Sequence, residues 1–129
     1  MRKQLLSVLV AFGLLAGVAT ASLSSLHGTY RATITGKPAA LNGTWQLKFL
    51  SGNATHLVRN GKLVVVGKAI PIDIRRLRLS DRSGSYACST AEGNGVYTYR
   101  VVGGRTTFRA VVDKCIGRKL VLTTKPFVR

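Results

Sequence analysis

The chain has 129 residues and a lopsided charge, 20 Lys or Arg against four Asp or Glu, for a formal +16. Four carboxylates leave little material for paired-acid catalysis. The length suits a single domain.

The first residues read as an export signal. Arg2 and Lys3 precede an almost wholly apolar run from Leu5 to Gly17, and Ala19-Thr20-Ala21 supplies the small-x-small pattern for cleavage after Ala21. The domain is then residues 22–129. The apolar run falls short of the roughly 20 residues that a bilayer crossing needs, so no membrane span is expected after cleavage. Localisation is expected to be extracellular or in a periplasm-like envelope space. Without Arg2 and Lys3, 18 basic residues still face four acidic ones, a formal +14. That excess attracts polyanions. Nucleic acid does not follow from it, because the basic residues alternate with apolar ones along the strands instead of forming one block.

Export also bears on Cys88 and Cys115. An oxidising compartment favours their pairing, which closes a loop of 27 residues. No further Cys is present and His27 and His56 lack ligand spacing, so no metal and no cofactor are expected.

Beyond the signal, period-2 alternation dominates and no window shows helical periodicity. In Gly28–Thr35, Tyr30, Ala32 and Ile34 share one face. In Thr44–Phe49, Trp45, Leu47 and Phe49 point inward. Asn60-Gly61 is a type I′ hairpin signal joining Thr55–Arg59 to Lys62–Val66. Between Gly67 and Leu79, Ile70, Ile72 and Ile74 hold one phase and Leu77 and Leu79 the other, which places a bulge or turn at Asp73–Arg76. Asp81–Gly84 and Glu92–Gly95 read as loops. Val96–Val102 and Arg105–Val112 form a hairpin across Gly103-Gly104, and Leu120–Thr124 reads as the last strand before Pro126. These eight or nine short strands with local connections predict an all-β, antiparallel, up-and-down barrel ahead of a sandwich, with no crossover helix.

Leu41-Asn42-Gly43-Thr44-Trp45-Gln46-Leu47 resembles the Gly-x-Trp signature that opens the first barrel strand of lipocalins and other calycins. Gly95-Val96-Tyr97-Thr98-Tyr99, Asp113-x-Cys115-x-x-Arg118 and Val121-Leu122-Thr123 are similar to a group of small secreted bacterial lipocalin-like proteins. The chain departs from a typical lipocalin in being short, in lacking a C-terminal amphipathic helix and in carrying an extra strand ahead of Gly-x-Trp. The resemblance implies a cup-shaped barrel that can hold a small apolar molecule. It also implies a structural group at the closed end: Gly43 in a close turn, Trp45 buried, and Arg118 stacked over its ring.

The chemistry for an enzyme is sparse. His27 and His56 lack a nucleophile motif, and the acids look like turn or pairing residues, so no catalytic residues are assigned. The inward set offers the better lead. Tyr30, Leu47, Phe49, Ile72, Tyr97, Tyr99 and Phe108 are candidate lumen residues for a ligand, and the same residues would simply fill a small barrel. The leading expectation is a secreted, non-enzymatic barrel binding a small hydrophobic or amphipathic molecule. An anionic head would meet basic residues at the rim: Arg59, Lys62, Arg75, Arg76 and Arg78. The alternatives are a cationic module for anionic cell-envelope polymers or nucleic acid, and an inhibitor of a secreted enzyme.

Overall fold

The computed structural model describes residues 26–36 and 38–129. The expected signal segment, 1–21, lies outside them. Eight strands run β1 Gly28–Ile34, β2 Gly43–Phe49, β3 Ala54–Arg59, β4 Lys62–Pro71, β5 Arg76–Ser83, β6 Gly95–Val102, β7 Arg105–Val112 and β8 Phe127–Val128. Each is antiparallel to its neighbour in sequence, and β8 pairs back to β1 at Arg31–Val128, which closes an eight-stranded barrel. The all-β meander is therefore present, with closure leaving no free edge to attract another strand.

The tight turns explain the register. Asn60 and Gly61 both adopt positive φ, 49° and 82°, as a type I′ turn requires, and lock Arg59 opposite Lys62. Asp73 sets the β4–β5 turn. Its Oδ1 accepts the backbone N–H groups of Arg75 and Arg76, each at 2.9 Å.

Two expectations fail at the end of β4 and in the turn after it. Ile72, a candidate lumen residue, and Ile70, which shares its phase, are 37% and 39% exposed and face outward. The inward positions go to Gly67 and Ala69. At Gly67 the register shifts, and a Cβ would run into the Ser80 carbonyl. The backbone of β5 itself thus takes the space a side chain at Gly67 would need. Asp81–Ser83, expected as a loop, instead extends β5.

The chain end departs further. Leu120–Thr124 is not a strand: Leu120 to Thr123 belong to helix α1, Ile116–Thr123, and Thr124 caps it, so a short helix does follow β7. Its buried residues Arg118, Val121 and Leu122 stand at helical spacing. Eight residues are too few to display that period in a sequence window, and a basic residue interrupts the apolar stripe. Pro126 does not end the pattern either, because Phe127 pairs with Thr106 in β8.

Cys88 and Cys115 form the disulfide, with a Cα–Cα distance of 6.0 Å. It ties the β5–β6 loop to the start of α1. Among the described residues, no helix is long and apolar enough to cross a membrane.

The core runs the length of the lumen, from Tyr30, Phe49 and Phe108 at one end to Trp45 and Leu41 at the other. Trp45 is fully buried. Trp45→Ala should lower stability by about 3–5 kcal/mol, read as a large fall in Tm by thermal melting. An unchanged Tm would show that the ring is not part of the core.

Candidate functional site

The Trp45 end is built by the turn residues around it. Gly43 has φ +141°, and a Cβ there would lie 2.7 Å from Asn60 Oδ1, the atom that accepts the Thr44 N–H at 2.9 Å. The Trp45 indole N–H donates to the Leu41 carbonyl at 2.8 Å. The cation over the ring is Arg59 and not Arg118. The Arg59 guanidinium sits 5.7 Å from the Trp45 ring centre and 5.4 Å from that of Tyr86. It donates to the Asn42 carbonyl at 2.9 Å and to the Tyr86 hydroxyl at 2.6 Å. Register explains the exchange: Arg59 is the residue directly opposite Trp45 on β3, so its long side chain folds across the barrel floor. Arg59 and Lys62 consequently stand at the closed end, away from the rim where Arg75 and Arg76 lie.

Arg118 has a different task. Its Nε and Nη2 each donate to Asp113 at 2.7 Å, and Nη2 also reaches the Gly93 carbonyl at 2.9 Å. Asp81 Oδ1 is 3.5 Å from Nη1. The Tyr97 hydroxyl donates to Asp113, and Asp113 Oδ1 accepts the Cys115 N–H at 2.9 Å. Asp81 in turn accepts the Cys88 N–H at 2.7 Å. The two carboxylates thus hold both halves of the disulfide and one buried guanidinium. Burial alone would raise the Asp113 pKa, but hydrogen bonds from Arg118, Tyr97 and Cys115, with the Arg118 charge, bring it below its ordinary value. Burial, followed by the bond to Asp113, pushes the Tyr97 hydroxyl well above its usual range, so it stays a donor.

The expected lumen residues are packed, with one exception. Tyr30, Leu47, Phe49, Tyr97, Tyr99 and Phe108 are buried in one cluster, whereas Ile72 stands outside on the β4–β5 turn. The Tyr30 and Phe49 rings meet edge to face at 5.9 Å. A cavity of about 70 Å³ remains under α1, lined mainly by Leu41, Trp45, Leu57, Val65, Val121 and Leu122, with Arg118 at its margin. Ligand pockets typically enclose about 300–1,000 Å³. The lumen is therefore close to filled.

The outer wall is where charge accumulates. Between Arg75 and Arg109 the chain has seven arginines and no lysine. Register gathers most of them on the outer face of β5–β7: Arg76 opposite Thr98, Thr98 opposite Arg109, and Arg100 opposite Thr107. The alternation that suggested an even spread in sequence thus produces one basic face once the strands pair. A groove of about 900 Å³ opens there, lined by Ile74, Arg75, Thr98, Arg100, Thr107 and Arg109, with Tyr99 and Val101. All four acids are engaged. Asp73 pairs with Arg76 at 2.7 Å, Glu92 accepts from Ser89, and Asp81 and Asp113 serve the Arg118 cluster. The Arg75 N–H first, then the Arg76 guanidinium, holds the Asp73 carboxyl below its ordinary pKa, so it is ionised and paired. Sequence reasoning named Arg75 and Arg76 but missed Arg100 and Arg109; the pairing of β6 with β7 was the signal.

Among the described residues, no group of His, Cys, Asp and Glu is placed to hold a metal ion.

Breaking the Arg118–Asp113 pair should be costly, because either partner alone is a buried, uncompensated charge. Arg118→Gln should destabilise by about 3–5 kcal/mol in urea titrations. Because the folded Asp113 pKa lies below the ordinary 3.8, its contribution is present above that value and is lost as pH falls through the lowered one. Acid unfolding of the native protein should therefore steepen below about pH 4, and Asp113→Asn should flatten that limb. A variant with the same acid profile as the native protein would contradict the assignment.

No family model matches the chain, and no curated protein and no solved structure matches it.

Proposed function

We propose that this chain is an exported, non-enzymatic barrel that works through its outer surface, binding anionic polymers of the cell envelope. The observation that carries the reading is the arginine-rich face of β5–β7, whose only neighbouring carboxylate, Asp73, is held by Arg76. Uncompensated guanidinium groups raise the local potential and draw in anions. Arginine suits the task, since its planar fork matches carboxylate and phosphate oxygens two at a time.

Three features support surface action over chemistry. The interior is filled by apolar side chains, the acids are tied to structural bonds, and the two His stand apart, His27 before β1 and His56 in β3. Export fits the disulfide, which persists in oxidising compartments. The lipocalin-like resemblance of Gly43-x-Trp45 fits the closed barrel, although a barrel alone identifies no family.

The carrier reading rests on one observation, the cavity of about 70 Å³ bordered by Arg118. That volume is well below an ordinary ligand pocket of about 300–1,000 Å³, so it suits only a very small guest. A small molecule retained through purification, seen by native mass spectrometry, would carry that reading instead.

Salt dependence tests the surface reading. Binding of the purified protein to short polyphosphate chains should weaken linearly in log K against log salt, with a slope steeper than about −3, as four or more released counterions require. Affinity indifferent to salt would overturn it.

A further inference from the structure

Within the basic face, one place has the makings of a built subsite. Thr98 faces Arg109 and Arg100 faces Thr107 across the β6–β7 ladder, so the two arginines are diagonal neighbours. Such positions lie about 7–8 Å apart, near enough for two long side chains to reach one anion. Arg75 flanks β6 on the side away from β7: its carbonyl accepts the Tyr99 N–H at 2.9 Å, which sets the β4–β5 turn against β6. That turn is braced by Asp73 through the Arg75 N–H, so the third guanidinium projects from an anchored backbone. Among the described residues, none of these three arginines forms an ion pair.

We propose that the groove lined by Arg75, Arg100, Arg109, Thr98 and Thr107 is a phosphate-binding subsite, taking the phosphoryl oxygens of a base-free phosphate polymer. This assignment rests on the surface reading above and gives it a location and a ligand class. The Thr98 hydroxyl donates to the Arg109 carbonyl at 3.5 Å, and the three guanidinium groups with the Thr107 hydroxyl still exceed what a planar carboxylate with two oxygens can use. A phosphoryl group offers more acceptor oxygens, and a chain of them supplies several charges in succession. Binding of single-stranded nucleic acid draws on stacking as well, and the groove has no platform for it. Tyr99 turns its ring inward and is only 8% exposed. The one exposed aromatic among the described residues, Tyr86, is held against Trp45 and Arg59 at the far end of the barrel.

The test uses the intact, disulfide-bonded protein with sodium polyphosphate as probe, by isothermal titration at several salt concentrations. R100Q/R109Q should weaken binding at least tenfold and reduce the log–log slope by about 1.4, two contacts at about 0.7 each. R31Q/K68Q removes the same charge from β1 and β4 and should change affinity less than threefold. Both pairs lie on the exposed wall, and equal Tm values establish that the comparison is between folded proteins. Equal losses from the two variants would overturn the groove while leaving the surface reading standing. Absence of salt-dependent binding by the native protein would remove both. Tighter binding of a single-stranded oligonucleotide or of polyglutamate at matched charge would overturn the base-free phosphate assignment. Competition by inorganic phosphate at submillimolar concentration would place the free ion, and not the polymer, in the site.

Discussion

The Arg118 guanidinium joins parts of the chain that are distant in sequence: Gly93 before β6, Asp81 on β5, and Asp113 at the end of β7. Asp113 adds Tyr97 and the Cys115 N–H, and Asp81 adds the Cys88 N–H. The disulfide bridges the same two carboxylate-held segments covalently. A buried pair of this kind is weak evidence of net stabilisation, since desolvation offsets much of the attraction. Its effect on geometry is stronger. With both carboxylates and the guanidinium out of water, these bonds hold α1 against β5–β7, and Arg118 Nη1 has only its 3.5 Å ion-pair contact to Asp81. The helix is thereby fixed over the barrel floor beside Trp45.

That constraint shapes where function can reside. A helix held over one end, the Arg59–Trp45–Tyr86 stack beneath it, and Tyr30, Phe49 and Phe108 packed at the other end leave little of the lumen empty. The acids needed for the closed end are then missing from the walls. Of four carboxylates in the whole chain, two serve Arg118, one braces the β4–β5 turn and one binds Ser89. The outer face is left with guanidinium groups whose one neighbouring carboxylate, Asp73, is taken by Arg76. Structure and surface chemistry are thus linked through the same small supply of carboxylates.

Much of the architecture was legible because it is written in short-range code. Alternating apolar residues, Asn60-Gly61 and Gly103-Gly104 gave strands and turns close to those observed, and Asp73 marked the β4–β5 turn. Partners of charged residues were harder to read. Arg118 was assigned to Trp45 from a resemblance, whereas the stacked cation comes from Arg59, set opposite Trp45 by strand register. Ile72 was placed inside because branched apolar residues usually face a core, yet Gly67 and Ala69 occupy the inner positions there. Helix α1 escaped notice because eight residues with a buried arginine show no clear period. The groove was invisible for a related reason: Arg75, Arg100 and Arg109 converge only after β6 pairs with β7 and the β4–β5 turn docks against them.

The central claim is that the lumen is core and the outer wall is the working surface. Amide chemical shifts of the ¹⁵N-labelled protein, followed while polyphosphate is added, test it directly. Shifts should concentrate at residues 74–76, 98–101 and 105–109, with the Trp45 indole N–H, bonded to the Leu41 carbonyl, unmoved. Larger shifts at Trp45 and along α1 than on β6–β7 would contradict the account and return function to the interior.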